Sequence, residues 1–135
     1  MSKPIPIALV IAGALALGAC ASDRHASKAE YDAALSRAER DYHEAKAKCD
    51  SYSGNAEDIC VAEAKAQRDK AEADAKAMYK GTPKARYDER IASAESDYKV
   101  ARQRCDDLAG DSKDVCVKEA EAALARAKAD AKTAY

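Results

Sequence analysis

The chain contains the same unit twice. Residues 28–79 align with residues 84–135 without a gap and are identical at 24 of 52 positions. Tyr31 pairs with Tyr87, Tyr42 with Tyr98, Cys49 with Cys105, Gly54 with Gly110, Cys60 with Cys116 and Tyr79 with Tyr135. Alanine-rich composition can imitate similarity, but it does not align four cysteines, three tyrosine pairs and a glycine. A duplication constrains the fold strongly, because what one copy forms the other forms too, and each copy alone is too small for a sizeable core.

Each unit reads as two helices. Tyr31, Leu35, Ala38, Tyr42, Ala45, Cys49 and Tyr52 are spaced 4-3-4-3-4-3, and Tyr87, Ile91, Ala94, Tyr98, Ala101, Cys105 and Leu108 repeat the pattern. That spacing is an a/d seam of paired helices. The second helix offers Cys60, Ala64, Gln67, Ala71, Ala75 and Met78, copied as Cys116, Ala120, Ala123, Ala127, Ala131 and Ala134. Boundary chemistry agrees. Ser27 and Glu30 form a capping box, and Gly54 is expected to end the first helix with Asn55 capping the second. The same device recurs at Gly110 and Asp111. Gly81, Thr82 and Pro83 supply a stop, a cap and a first helical proline. The expected helices are roughly 29–50, 56–79, 83–107 and 112–133.

Folding each unit back with Cys49 opposite Cys60 places Ala45 on Ala64, Ala38 on Ala71, and Tyr31 beside Met78 and Tyr79. The copy places Tyr87 beside Ala134 and Tyr135. The seam then carries cysteine at the turn, alanine through its middle and tyrosine at the open end. Small residues allow helix axes to approach closely. The fold class is therefore all-α, two duplicated antiparallel hairpins, each with one disulfide. Leu35, Ile59, Val61, Val100, Val117 and Leu124 are expected to supply a face that packs them as a four-helix bundle.

The disulfides follow from cysteine arithmetic. The chain has five cysteines. Setting Cys20 aside leaves an even set, which in an oxidising compartment reads as Cys49–Cys60 and Cys105–Cys116. Such staples suit a chain without Phe or Trp in which 34 of 135 residues are alanine, because thin cores need them. There is no C-x-x-C, and His25 and His43 are not duplicated, so neither a metal site nor a cofactor is expected.

Cys20 is set aside because of what precedes it. Lys3 stands before the apolar run from Ile7 to Leu17, and Gly18 and Ala19 close it. This is a secretory signal with a cleavage site, too short for a transmembrane helix. Leu17-Gly18-Ala19-Cys20 resembles the bacterial lipobox. The resemblance implies that Cys20 becomes the acylated first residue of a mature lipoprotein. Two or more acyl chains make such anchoring stable. Ala21, in place of the Asp associated with inner-membrane retention, implies the periplasmic face of the outer membrane. The expected organisation is a signal peptide over 1–19, an acylated Cys20 and tether over 20–28, hairpins over 29–79 and 85–135, and a linker over 80–84.

Charge and motifs narrow the function. The chain has 23 Lys+Arg and 24 Asp+Glu, interspersed, so no nucleic-acid surface is expected. There is no G-x-S-x-G, H-E-x-x-H or phosphate loop. No catalytic residue is assigned, and the chain is read as a non-enzyme. Tyr31, Tyr79, Tyr87 and Tyr135 gather at the open hairpin ends and are the candidate contacts for a partner or glycan.

Ala45-Lys46-Ala47-Lys48-Cys49-Asp50 and Asp114-Val115-Cys116-Val117-Lys118-Glu119-Ala120 resemble stretches of small Ala/Lys/Glu-rich cell-envelope proteins of Gram-negative bacteria. Ala62–Ala77 is similar in composition to the helical stalk of TolA. The major murein-linked lipoprotein is an analogue in being lipid-anchored, helical and heptad-bearing. It ends in the Lys joined to peptidoglycan, whereas this chain ends Lys132-Thr133-Ala134-Tyr135, so any wall contact is expected to be non-covalent. The resulting expectation is a lipid-anchored periplasmic protein with a structural or protein-interaction role, its partners the membrane and an envelope protein or peptidoglycan. The alternative is a periplasmic stress-related binding module or small helical chaperone. The sequence leaves the oligomeric state open, because a heptad seam pairs helices within or between chains.

Overall fold

The computed structural model describes residues 25–135. The expected signal segment, the lipobox-like Leu17–Cys20 and the tether up to Arg24 lie outside the described residues. Four helices follow one another: α1 (Lys28–Cys49), α2 (Asn55–Lys80), α3 (Pro83–Cys105) and α4 (Gly110–Thr133). The described residues form no strand.

Local chemistry sets the boundaries. Ser27 Oγ accepts the Glu30 N–H at 3.2 Å, and the Ser27 N–H donates to Glu30 Oε2 at 2.7 Å, so the capping box is complete. Thr82 Oγ1 accepts the Ala85 N–H at 3.1 Å, with Pro83 in the first turn. Gly81, at φ 59°, ends α2 in the left-handed conformation, its N–H donating to the Ala77 carbonyl.

Gly54 departs from expectation. It has φ 62° and ψ −143° and precedes α2 as its N-cap, while α1 ends at Asp50 in right-handed geometry. Asn55 therefore starts the helix instead of capping it. Gly110 has nearly the same φ, 58°, although α4 is counted from Gly110 and α2 from the residue after Gly54, a one-residue ambiguity of helix ends. A Cβ at either glycine would meet no atom within 4 Å. The requirement there is backbone conformation, which L side chains disfavour at positive φ.

Disulfides join Cys49 to Cys60 and Cys105 to Cys116, with Cα–Cα separations of 5.6 and 5.7 Å. Each closes the turn of one antiparallel hairpin. The two hairpins pack through α2 and α3, so the helices lie in the order α1–α2–α3–α4 and each touches only its neighbours in sequence. The bundle is open: α1 and α4 are edges, α2 and α3 are covered on two sides.

The core is alanine. Ala38, Ala64, Ala66, Ala75, Ala77, Ala85, Ala94, Ala120 and Ala131 are buried with Cys49 and Cys105, and no larger apolar side chain joins them. Every expected seam position from Tyr31 to Cys49 is shielded, whereas the α2 stripe is displaced in its middle. Gln67 and Ala71 are exposed; Cys60, Ala64, Arg68, Glu72 and Ala75 are the shielded run. The copy agrees in part: Ala123 is exposed and Leu124 and Lys128 are shielded, but Ala127 keeps its expected shielded place. The cause is visible at Tyr42, whose ring fills the seam and carries the Arg68 guanidinium 4.6 Å from its centroid.

The face between the hairpins is also corrected. Leu35 lies on α1 and Val117 and Leu124 on α4, and these edge helices do not reach the other hairpin. Ile59, Val61 and Val100 do lie on α2 and α3 and are half-buried, and Val61 lines a groove with Ser96 and Gln103 of α3. The fully buried residues of the contact are small: Ala66 and Ala77 from α2, Ala85 and Ser96 from α3. Polar pairs clasp its margins. Asn55 Nδ2 donates to the Gln103 carbonyl at 3.2 Å and to Asp107 Oδ1 at 2.6 Å, and Gln103 Nε2 donates to Asn55 Oδ1 at 2.7 Å. Arg104 pairs with Glu63 at 2.6 Å, and Lys70 with Asp97.

Two consequences are measurable by urea unfolding. Ala66→Leu inserts extra methylenes into the closest contact and should cost about 1–3 kcal/mol, whereas Ala47→Leu, on the exposed face of α1, should leave stability nearly unchanged. Replacing Cys49 and Cys60 together by Ser should cost about 3 kcal/mol by the loop-closure argument. An unchanged midpoint would show that the hairpin closes without its staple.

Candidate functional site

The molecule has two unlike ends. The hairpin turns, with their disulfides, lie at one. The start of α1, the end of α2, the start of α3 and the end of α4 meet at the other. Antiparallel pairing brings the expected tyrosines together there. Tyr31 and Tyr79 stack with centroids 4.9 Å apart and planes 16° apart; Tyr87 and Tyr135 meet at 5.3 Å and 50°. Tyr31 and Tyr87 are half-buried beneath, while Tyr79 is 38% and Tyr135 65% exposed. Of the four candidate contacts, Tyr79 and Tyr135 are thus the outward ones. Met78, expected within the seam, is 53% exposed beside them.

An ion pair accompanies each tyrosine pair, again in duplicate. Lys28 donates to Asp32 at 2.7 Å and Lys84 to Asp88 at 2.8 Å. Hydrogen bonding to Asp32, with its charge, raises the Lys28 pKa, and Asp88 raises Lys84 in the same way. A raised lysine pKa stabilises fully below the ordinary lysine value and ceases to do so as pH rises through the raised one. At the opposite end, the Lys113 hydrogen bond lowers the pKa of Asp106. That contribution is present above the ordinary carboxylate value and is lost as pH falls through the lowered one. All three groups are fully exposed, so solvent screens these effects strongly.

The N-terminal segment is laid across this end. The Ala26 N–H donates to the Met78 carbonyl at 3.0 Å. His25 then rests over Gly81 so closely that a Cβ there would overlap its imidazole. His25 lines two open pockets. One, of about 250 Å³, is completed by Ala26, Glu30, Tyr31, Ala34, Ala75 and Met78. The other, of about 330 Å³, is completed by Gly81, Pro83, Arg86, Tyr87, Arg90 and Ala134. Sequence reading did not find these pockets. The available signal was the column of the repeat in which Glu30 becomes Arg86 and Ala34 becomes Arg90.

Of the residues singled out from sequence, the four cysteines are joined as expected and the tyrosines form two pairs. Cys20 lies outside the described residues. His43 lies on an exposed face, 3.2 Å from Glu39. Among the described residues, no group of three or more His, Cys, Asp and Glu side chains is placed to hold a metal, and no helix is long and apolar enough to cross a membrane. No protein-family model, curated protein or solved structure matches the chain.

Asp88→Asn should return Lys84 to the ordinary lysine pKa while Lys28 stays raised, an internal control supplied by the duplication. Titration of the lysine Cε signals by NMR reads both groups in one experiment.

Proposed function

We propose that this chain is a lipid-anchored cell-envelope protein with a structural or protein-interaction role and no catalytic activity. In this reading Cys20 is acylated at the periplasmic face of the outer membrane, and the two stapled hairpins stand in the periplasm. Contacts would be made with envelope proteins or, non-covalently, with peptidoglycan.

The observation that carries the reading is the polarity of the molecule. The segment leading from Cys20 joins the tyrosine end, where Ala26 is hydrogen-bonded to the end of α2. The disulfide end lies one helix length away, about 33–39 Å for helices of 22–26 residues. That far end presents Tyr52 at 55%, Leu108 at 43% and Val115 at 55% exposure. Tyr52 and Leu108 occupy the same position in the two copies. An anchored rod with apolar side chains at its distal tip suits reaching and holding a partner better than it suits chemistry. General acid or base work needs perturbed groups in an enclosed cleft, whereas Lys28, Lys84 and Asp106 are exposed and ion-paired and Arg68 is paired with Asp69 and covers the Tyr42 ring.

The decisive experiment is the intact mass of the protein extracted from its own cells, alkylated before and after reduction. Chain 20–135 with added acyl mass, unreactive until reduction and then taking four alkyl groups, is the expected result. An unlipidated chain would remove the anchor. Free thiols would remove the oxidising compartment and return redox or metal chemistry to consideration.

A further inference from the structure

The two pockets at the tyrosine end are copies of one another. His25, Glu30, Tyr31, Ala34 and Met78 in the first correspond to Gly81, Arg86, Tyr87, Arg90 and Ala134 in the second. Their chemistry has separated. In the first copy, Glu30 is occupied by the Ser27 N–H, and Ala34, Ala75 and Met78 make the rest apolar. In the second, Arg86 and Arg90 stand four residues apart on α3, so their side chains are neighbours. His25 faces them from the incoming strap, and no carboxylate side chain lines the pocket. Among the described residues neither arginine has an ion-pair partner, whereas Lys84 at the start of the same helix is paired with Asp88.

Two like charges side by side on a helix are destabilising. Both positions are exposed and lie off the faces that α3 turns to α2 and α4, so packing does not explain them. Paired guanidinium groups match the oxygen geometry of a phosphate, which accepts two parallel hydrogen bonds from each.

We propose that this pocket holds the phosphate of an anionic phospholipid headgroup, with Arg86 and Arg90 as its ligands and His25 and Tyr87 as its walls. The proposal rests on the lipid-anchor reading, and that reading supplies the membrane. Cys20 precedes His25 by five residues, which span at most about 18 Å. An acylated Cys20 therefore keeps the pocket within headgroup reach of the bilayer. The exposed rings of Tyr79 and Tyr135 lie at the same end of the molecule, Tyr135 against the Tyr87 that lines the pocket, and tyrosine favours the membrane–water boundary. Docked in this way, the tyrosine end lies on the membrane and the rod stands away from it.

The test uses the full chain extracted in a non-ionic detergent, its intact mass recorded first. Dihexanoyl-phosphatidylglycerol, dihexanoyl-phosphatidylcholine and inorganic phosphate are titrated separately while the amide signals of His25, Arg86, Tyr87 and Arg90 are followed by NMR. The expected result is a saturable shift with phosphatidylglycerol and at least roughly tenfold weaker responses to the other two. The double variant Arg86→Gln/Arg90→Gln should weaken phosphatidylglycerol binding by roughly tenfold or more without lowering the melting temperature, because glutamine is an equally good helix former and the like-charge repulsion is removed. A response to inorganic phosphate as strong as that to phosphatidylglycerol overturns the lipid assignment. The absence of a saturable shift with all three probes overturns the pocket. Binding by a chain whose mass lacks acyl groups removes the anchor and leaves the pocket standing; acyl groups without binding do the reverse.

Discussion

The fold depends on closing each hairpin around a core that contributes little by itself. Among the described residues every buried apolar side chain is alanine or a disulfide cysteine. Removing a methyl group from water is worth on the order of 0.8 kcal/mol, so an alanine seam cannot offset the cost of ordering long helices as a leucine seam would. Two features make up the difference. Alanine, lysine, glutamate and arginine are the strongest helix formers, so little is lost when each helix forms. The disulfide removes much of the disorder that an open hairpin would keep in the unfolded chain. With Cys49 and Cys105 almost wholly buried, at 1% and 0% exposure, they are also the largest fully buried side chains among the described residues.

Two identical hairpins placed side by side do not have identical surroundings, and the duplicated sequence has adjusted to that. Helices α2 and α3 are covered on two sides, whereas their copies α4 and α1 are edges. Ser96, buried against α2, corresponds to exposed Arg40; Val100 corresponds to Glu44. On the other helix pair, Ala62 corresponds to Lys118, and buried Ala77 to exposed Thr133. Each substitution replaces a charged or polar residue at an edge by a small or apolar one at the joint. Close approach of α2 and α3 requires this, since a long side chain at Ser96 or Ala77 would hold the helices apart.

That comparison also explains what could be read in advance. Helix number, hairpin pairing, both disulfides and the meeting of Tyr31 with Tyr79 and Tyr87 with Tyr135 were legible because identical columns report what each hairpin needs for itself. The joint between hairpins was only partly legible from those columns: Ala66 and Ala85 are alanine in both copies, whereas Ser96 and Ala77 stand in columns that differ. Of the large aliphatics, Leu35, Val117 and Leu124 sit on edge helices, whereas Ile59, Val61 and Val100 lie on α2 and α3 and are half-buried; the fully buried part of the joint is made of residues too small to stand out. The α2 stripe was misplaced at Gln67 and Ala71 for a related reason. A polar Arg68 occupies a seam position through the face of Tyr42, and hydropathy patterns discount an arginine there. Gly54 was assigned to the wrong helix end because positive φ can serve an N-cap as well as a stop.

Divergence between the copies therefore has two separable sources. Where a differing column falls on the α2–α3 joint, packing accounts for it. The columns of Glu30 with Arg86 and Ala34 with Arg90 do not fall there, and they reverse the charge of a pocket whose tyrosine wall is unchanged. A change that packing does not require, in a pocket that both copies retain, points to selection on what the pocket meets. The first copy is closed upon itself by the capping box and Met78. In the second, Arg86 and Arg90 have no ion-pair partner among the described residues and face a pocket that no carboxylate lines, and a bound anion would give a physical reason for keeping them adjacent.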